Sequence, residues 1–215
     1  VNGGIRADYL QFIKDGTGLN TLLQNYWMVI HPPVLFLGFA STIVPFAYAM
    51  AGLMNRRHDW VKPTIAWACF SGAVLGTGIM MGAAWAYASL SFGGYWAWDP
   101  VENASLVPWL VLIAGLHTNL VYNHSGYSLR PTYFFYLFSF LLVLYSTFLT
   151  RSGILGDTSV HAFTDLGMNT QLLLFVLVFL LPAIGLFIAR YKSIPAIAKE
   201  ENTYSREFWM FIGSL

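Results

Sequence analysis

TQLLLFVLVFLLPAIGLFIAR, residues 170–190, carries no charged side chain before its closing Arg190. A helix rises 1.5 Å per residue, so about 20 mostly apolar residues are needed to cross a hydrocarbon core roughly 30 Å thick. The stretch therefore reads as a membrane-spanning helix. Four more segments qualify on the same scale, at about 32–54, 64–88, 104–122 and 132–150, and a further apolar run begins at 208–215. Composition agrees: 57% of the 215 residues are hydrophobic and 10% charged, where a soluble domain carries about 25% charged residues. The expected fold class is all-α, a polytopic integral membrane helical bundle. It forms part of one membrane domain over 1–215, entered through an arm over 1–31. There is no internal repeat, and the links are too short for a separate soluble domain.

Charge and cysteine usage narrow the function classes. A net charge of +1 gives no basis for a nucleic-acid partner, and membrane lipid is the expected surrounding. Cys69 is the single cysteine, so an intrachain disulfide, a CxxC pair or a thiolate cluster is excluded. The chain opens at Val1 and stops at Leu215 within an apolar run, and is read as an internal piece of a longer protein. Eight basic residues follow spans one, three and five (Arg56, Arg57, Lys62, Arg130, Arg190, Lys192, Lys199 and Arg206). Three lie on the other side: Arg6, Lys14 and Arg151. The positive-inside rule puts the richer side in the cytoplasm. The arm, the links at 89–103 and 151–169, and the aromatic segment at 92–109 then share the outward surface.

That segment, FGGYWAWDPVENASLVPWL at 92–110, holds three tryptophans, a tyrosine and a diglycine. Part of it has a structural reading: Asp99 can cap the following helix, with Pro100 at its first position and Glu102 completing a capping box. The aromatics suit an interface belt as well. A belt, however, does not need Gly93-Gly94, which clear side-chain bulk where a backbone or flat ligand approaches. Two histidines fall at the same level. His31 precedes Pro32-Pro33 and is expected at the mouth of span one, because a residue before proline is pushed out of the helical region. His161 lies midway along the link at 151–169. A lone link histidine usually only hydrogen-bonds its loop, but two flanking an aromatic platform favour ligation. His117 differs: 13 residues past Ala104 it lies about 20 Å deep. It is either an intramembrane ligand or a neutral histidine bonded to a neighbouring helix. His58 and His124, in cytoplasmic links, read as solvated. Imidazoles and aromatic faces around a cleared backbone suit a haem; zinc would want three or four close donors.

GGYWAWDPVENASLVPWL resembles the tryptophan-rich WWD signature of the haem-handling family of cytochrome c biogenesis. The continuation DPVENAS, with LLQNYWMVIHPPVLFLGF and FLTRSGILGDTSVHAF, is most similar to the haem lyases of the cytochrome c maturation F type. The resemblance covers nearly the whole chain. It implies that His31 and His161 flank the WWD segment and hold haem b in transit, while His117 binds a second membrane haem whose other ligand lies outside this chain. It implies Tyr95, Trp96, Trp98 and Trp109 as the platform, although the family often has tryptophan where Tyr95 stands. Asp99 is either cap or edge contact, and Arg151 either meets a haem propionate or snorkels. The implied function is a haem lyase subunit of the bacterial inner membrane, its WWD segment facing the periplasm. It receives haem from a haem chaperone and presents it to apocytochrome c, held by a thiol-handling subunit, for thioether attachment to CxxCH cysteines. No side chain reads as catalytic; the chemistry is the cofactor's and the thiols'. Two other classes remain open: a haem delivery or transport subunit without lyase activity, and a b-type electron-transfer subunit.

Overall fold

The computed structural model describes residues 18–19, 23–89, 94–155, 167–196, 209 and 213. Among these residues the regular structure is all helical: α1 (Tyr26–Ser41), α2 (Ile43–Asn55), α3 (Val61–Ser89), α4 (Pro100–Ser125), α5 (Leu129–Arg151) and α6 (Asn169–Arg190), with a 3₁₀ turn at Tyr191–Ser193. Five segments are long and apolar enough to cross a membrane, α1 and α2 together making the first, Tyr26–Asn55. The expected span starting at 208–215 lies almost wholly outside the described residues.

The first span begins six residues earlier than its two prolines suggest. Asn25 caps α1, its side chain accepting from the Trp27 amide at 2.9 Å. Pro32 and Pro33 lie past the four amides that a helix start leaves unpaired, so each forgoes one bond, to the Met28 and the Val29 carbonyl, and the helix runs on through both. His31 therefore sits inside the helix rather than at its mouth, more than a turn from the start. Further along, Pro45 lacks the amide that would bond the Ser41 carbonyl, and the helix is interrupted at Thr42. There the Ser41 and Thr42 hydroxyls each donate at 2.7 Å to a carbonyl of the preceding turn, Gly38 and Phe39.

α3 is the central element. It packs along α1 on one side and against α4 on the other, while α5 joins α4 to α2 and α6. Glycines allow these approaches. A Cβ on Gly78 would stand 2.7 Å from the Leu35 Cα, and one on Gly38 2.5 Å from the Leu75 Cα. Small residues spaced by four let helix backbones meet closely in membranes, where the gain comes from van der Waals packing. α6 does the opposite. It buries only Val176 and Ala183 and leaves Leu173, Phe175, Val178, Leu181 and Ile188 exposed, an apolar surface that lipid would cover.

The end of the bundle where α2 meets α3 holds most of the core, including Phe46, Trp60, Tyr133, Tyr136 and Phe140. The Tyr133 hydroxyl accepts from Trp60 Nε1 at 2.7 Å, lies 2.9 Å from His58 Nδ1 and donates to the Arg57 carbonyl at 3.3 Å. His58 is thus not merely solvated, as expected from its polar neighbours: it is half-buried in a hydrogen-bonded cluster. Burial pushes its pKa below the usual histidine value, with Asp59 opposing. His124, by contrast, is exposed.

Candidate functional site

The other end gathers the middle and second half of α1, the end of α3, the non-helical segment 96–99, the start of α4 and the end of α5 around one cavity of about 220 Å³. His31, Leu35, Phe36 and Phe39 of α1 form one wall, and Ile79, Gly82, Ala83 and Trp85 of α3 the next. Trp96 and the first turns of α4, with Glu102 and Ser105, face Ser146, Thr147, Thr150 and Arg151 of α5. His31, Trp96 and Arg151, far apart in sequence, thus meet at one site. Arg151 closes α5, where a cation complements the helix dipole.

His31 is held firmly. Its Nδ1 lies 2.8 Å from the Gly78 carbonyl oxygen. A carbonyl only accepts, so Nδ1 carries the proton and Nε2 of the neutral ring carries the lone pair. Gly82 underlies the ring, where a Cβ would meet Cε1 at 2.7 Å. His117 has the same polarity: Nδ1 is 2.8 Å from the Ile113 carbonyl, which again leaves the lone pair on Nε2. It is half-buried on α4, 17 residues past Pro100, and lies outside the cavity lining. His161 and Gly93 lie outside the described residues. Among the described residues no group of three or more His, Cys, Asp or Glu side chains is placed to hold a metal ion.

The aromatic segment is tied down by the first turn of α4. Asp99 accepts from the Val101 amide at 2.8 Å, and Glu102 Oε2 accepts from the Asp99 amide at 3.2 Å, forming the capping box. The same oxygen also takes the Ala97 amide at 3.0 Å, and Asn103 Nδ2 donates to the Trp98 carbonyl at 3.1 Å. Trp98 sits at φ +58°, a left-handed value uncommon for a bulky residue. Trp96 and Trp98 meet edge to face, 6.1 Å between ring centres. Trp98 is 72% exposed, whereas the Trp96 indole Nε1 is buried with no hydrogen-bond partner among the described residues.

The other platform residues separate. Tyr95 stacks on Tyr87 with ring centres 4.2 Å apart and planes 3° from parallel. Trp109 lies deeper, between α3 and α4, donating from Nε1 to the Gly72 carbonyl at 2.8 Å. Gly94 has a backbone need for glycine, its φ being +157°, and among the described residues an added Cβ would meet nothing within 4 Å. The close approach is at Gly82 instead. Trp85 and Gly82, absent from the sequence-based site, share one α3 face with Gly78, and the spacings Gly72-xxx-Gly76 and Gly78-xxx-Gly82 were the legible signal.

As a ligand site the cavity offers one imidazole, an indole wall, hydroxyls and a guanidinium. At about 220 Å³ it is smaller than clefts of roughly 300–1,000 Å³ that enclose a whole ligand, and suits one edge of a large planar ligand.

Comparison with known proteins bears on the chemistry. The family described as cytochrome c assembly protein matches residues 7–155. The chain is 39% identical over 201 residues to the cytochrome c-type biogenesis protein CcmF of Pseudomonas fluorescens, covering 92% of this chain and 30% of that protein. It is 41% identical over 186 residues to the cytochrome c-type biogenesis protein CycK of Bradyrhizobium diazoefficiens, covering 84% and 27%. A solved structure of the cytochrome c heme lyase CcmF superposes with a TM-score of 0.67 at 36% identity, over 89% of this chain and 29% of that one. The chain thus spans about three tenths of the length of these relatives.

Proposed function

The chain belongs to the cytochrome c assembly protein family, and from that premise we propose that it forms the haem-presenting part of a cytochrome c haem lyase. The observation that carries this reading is the meeting of His31, Trp96 and Arg151 at one cavity. His31 would bind haem iron through Nε2, Trp96 would bound the macrocycle, and Arg151 would meet a propionate. His161 is the second axial ligand on the sequence reading. Tyr95 and Trp98 would extend the aromatic rim outside the cavity, and Trp109 would support it from below. Asp99 acts through the backbone, as the cap that ends the segment.

The haem bound there is haem b in transit, whose vinyl groups become thioether-bonded to the CxxCH cysteines of an apocytochrome c. This chain's residues bind and orient it, and none acts as acid or base. The partners on this reading are a haem chaperone, the apocytochrome and its thiol-handling subunit. The basic-residue count argues that the His31 end faces the periplasm of a bacterial inner membrane. His117, with its lone pair on Nε2, would give a second, membrane-embedded haem b one axial bond.

The test is spectroscopic, on the intact protein in detergent. His31→Ala should convert a six-coordinate haem spectrum to five-coordinate, and added imidazole should refill the vacancy. His117→Ala should remove only the second haem. Supplying haem-loaded chaperone and a CxxCH peptide should then give covalent product with the wild type. A His31→Ala protein with an unchanged haem spectrum refutes the ligand assignment, and haem transfer without covalent product would make the protein a carrier.

A further inference from the structure

Building on the reading of His31 as an axial ligand, we infer that Gly82, together with the Gly78 carbonyl, is the positioning device that sets which nitrogen of His31 meets the ligand and where it points. Two constraints act on the ring at once. The Gly78 carbonyl, 2.8 Å from Nδ1, fixes the tautomer and leaves the lone pair on Nε2. A backbone carbonyl taking that proton also raises the basicity of the ligating nitrogen. In a helix the amide paired with the Gly78 carbonyl is that of Gly82, so both contacts belong to one turn of α3.

The second constraint is steric. A Cβ on Gly82 would lie 2.7 Å from Cε1, 3.1 Å from Nδ1 and 3.2 Å from Nε2 of His31. Three ring atoms at nearly one distance mean that the imidazole lies with its face over the Gly82 Cα. The helices cannot part to make room without losing the Gly78–Leu35 and Gly38–Leu75 approaches, where backbone already meets backbone. An alanine at 82 therefore pushes the ring toward the cavity and off the Gly78 carbonyl, loosening both tautomer and aim. Gly82 touches no ligand and works only through His31.

A double-mutant cycle on the intact protein in detergent separates this role from plain helix packing. Gly82→Ala should weaken His31-dependent haem binding roughly five- to a hundredfold, the range expected for overpacking a close contact. The spectrum should shift toward five-coordinate, and imidazole should restore it. In a His31→Ala background without added imidazole, Gly82→Ala should change the residual haem affinity less than about twofold, because the ring it strikes is gone. A haem-free readout runs beside it: carbethoxylation of His31, followed by mass spectrometry, should change rate in Gly82→Ala. Gly185→Ala, where an added Cβ meets nothing within 4 Å, serves as control. Wild-type affinity and spectrum in Gly82→Ala would overturn the inference. So would an equal loss in both backgrounds, which would mark Gly82 as a packing residue. Absence of any His31-dependent haem in the wild type would instead refute the ligand reading on which the inference rests.

Discussion

Replacing Glu102 with alanine removes one carboxylate oxygen that accepts two backbone amides, those of Ala97 at 3.0 Å and Asp99 at 3.2 Å. The first bond is exposed and the second part-buried, so neither has the full strength of a buried charged pair. Hydrogen bonds of this kind contribute about 0.5–1.5 kcal/mol each, and loss of a capping residue costs about 0.5–2 kcal/mol. The combined loss is expected near 1–2 kcal/mol, a roughly 5–30-fold rise in local opening. It should fall on residues 96–99, which hold both of those amides. Amide exchange followed by mass spectrometry on peptides spanning 94–104 would read it directly. Glu102→Gln, which keeps an acceptor oxygen, should recover most of the protection, while peptides from α6 should not change. Unaltered exchange over 96–99 in Glu102→Ala would show that Trp98 keeps its left-handed backbone without this anchor.

Three further outcomes follow from the opposite end of the bundle and from topology. Tyr133→Phe should lower the thermal unfolding midpoint, because it strands the buried Trp60 N–H at about 1–3 kcal/mol; an unchanged midpoint would mean the indole finds another acceptor. Burial holds the folded-state pKa of His58 below the unfolded value near 6.5, so the unfolded chain binds more protons as acid is added. Stability should be fully present above about pH 6.5 and decline as pH falls through and below it, a slope that His58→Gln should flatten in melts run across pH. Single cysteines placed at Ser89 and at Asn55 or Asn123, in a chain with Cys69 replaced, should be labelled from opposite faces of the membrane; labelling from one face would remove the proposed orientation.

How much of this was legible follows from what each feature depends on. The spans depend on one-dimensional apolar length measured against a bilayer, and all five were readable, yet their ends were not. Local caps set those ends: Asn25 starts α1 ahead of two prolines that seemed to forbid it, and Asp99 starts α4 at Pro100. The gathering of His31, Trp96 and Arg151 follows from the alternation of spans, which leaves few ways to sort links between two surfaces. Depth within the site was less visible. Trp96, Trp98 and Trp109 read as one platform because they are close in sequence, but the cap at Asp99 changes the rise per residue midway. Beyond it the chain advances helically, so Trp109 lies about 13 Å farther along the axis than Pro100 and pairs with the Gly72 carbonyl instead. Least legible was the seat under His31. A glycine needed for close approach is a property of two helices at once. The Gly78-xxx-Gly82 spacing shows that some neighbour comes near, and only the packing of α1 on α3 identifies that neighbour as an imidazole. The proposed ligand and the glycine proposed to seat it therefore lie 51 positions apart, and on that proposal a change at either should silence the same site.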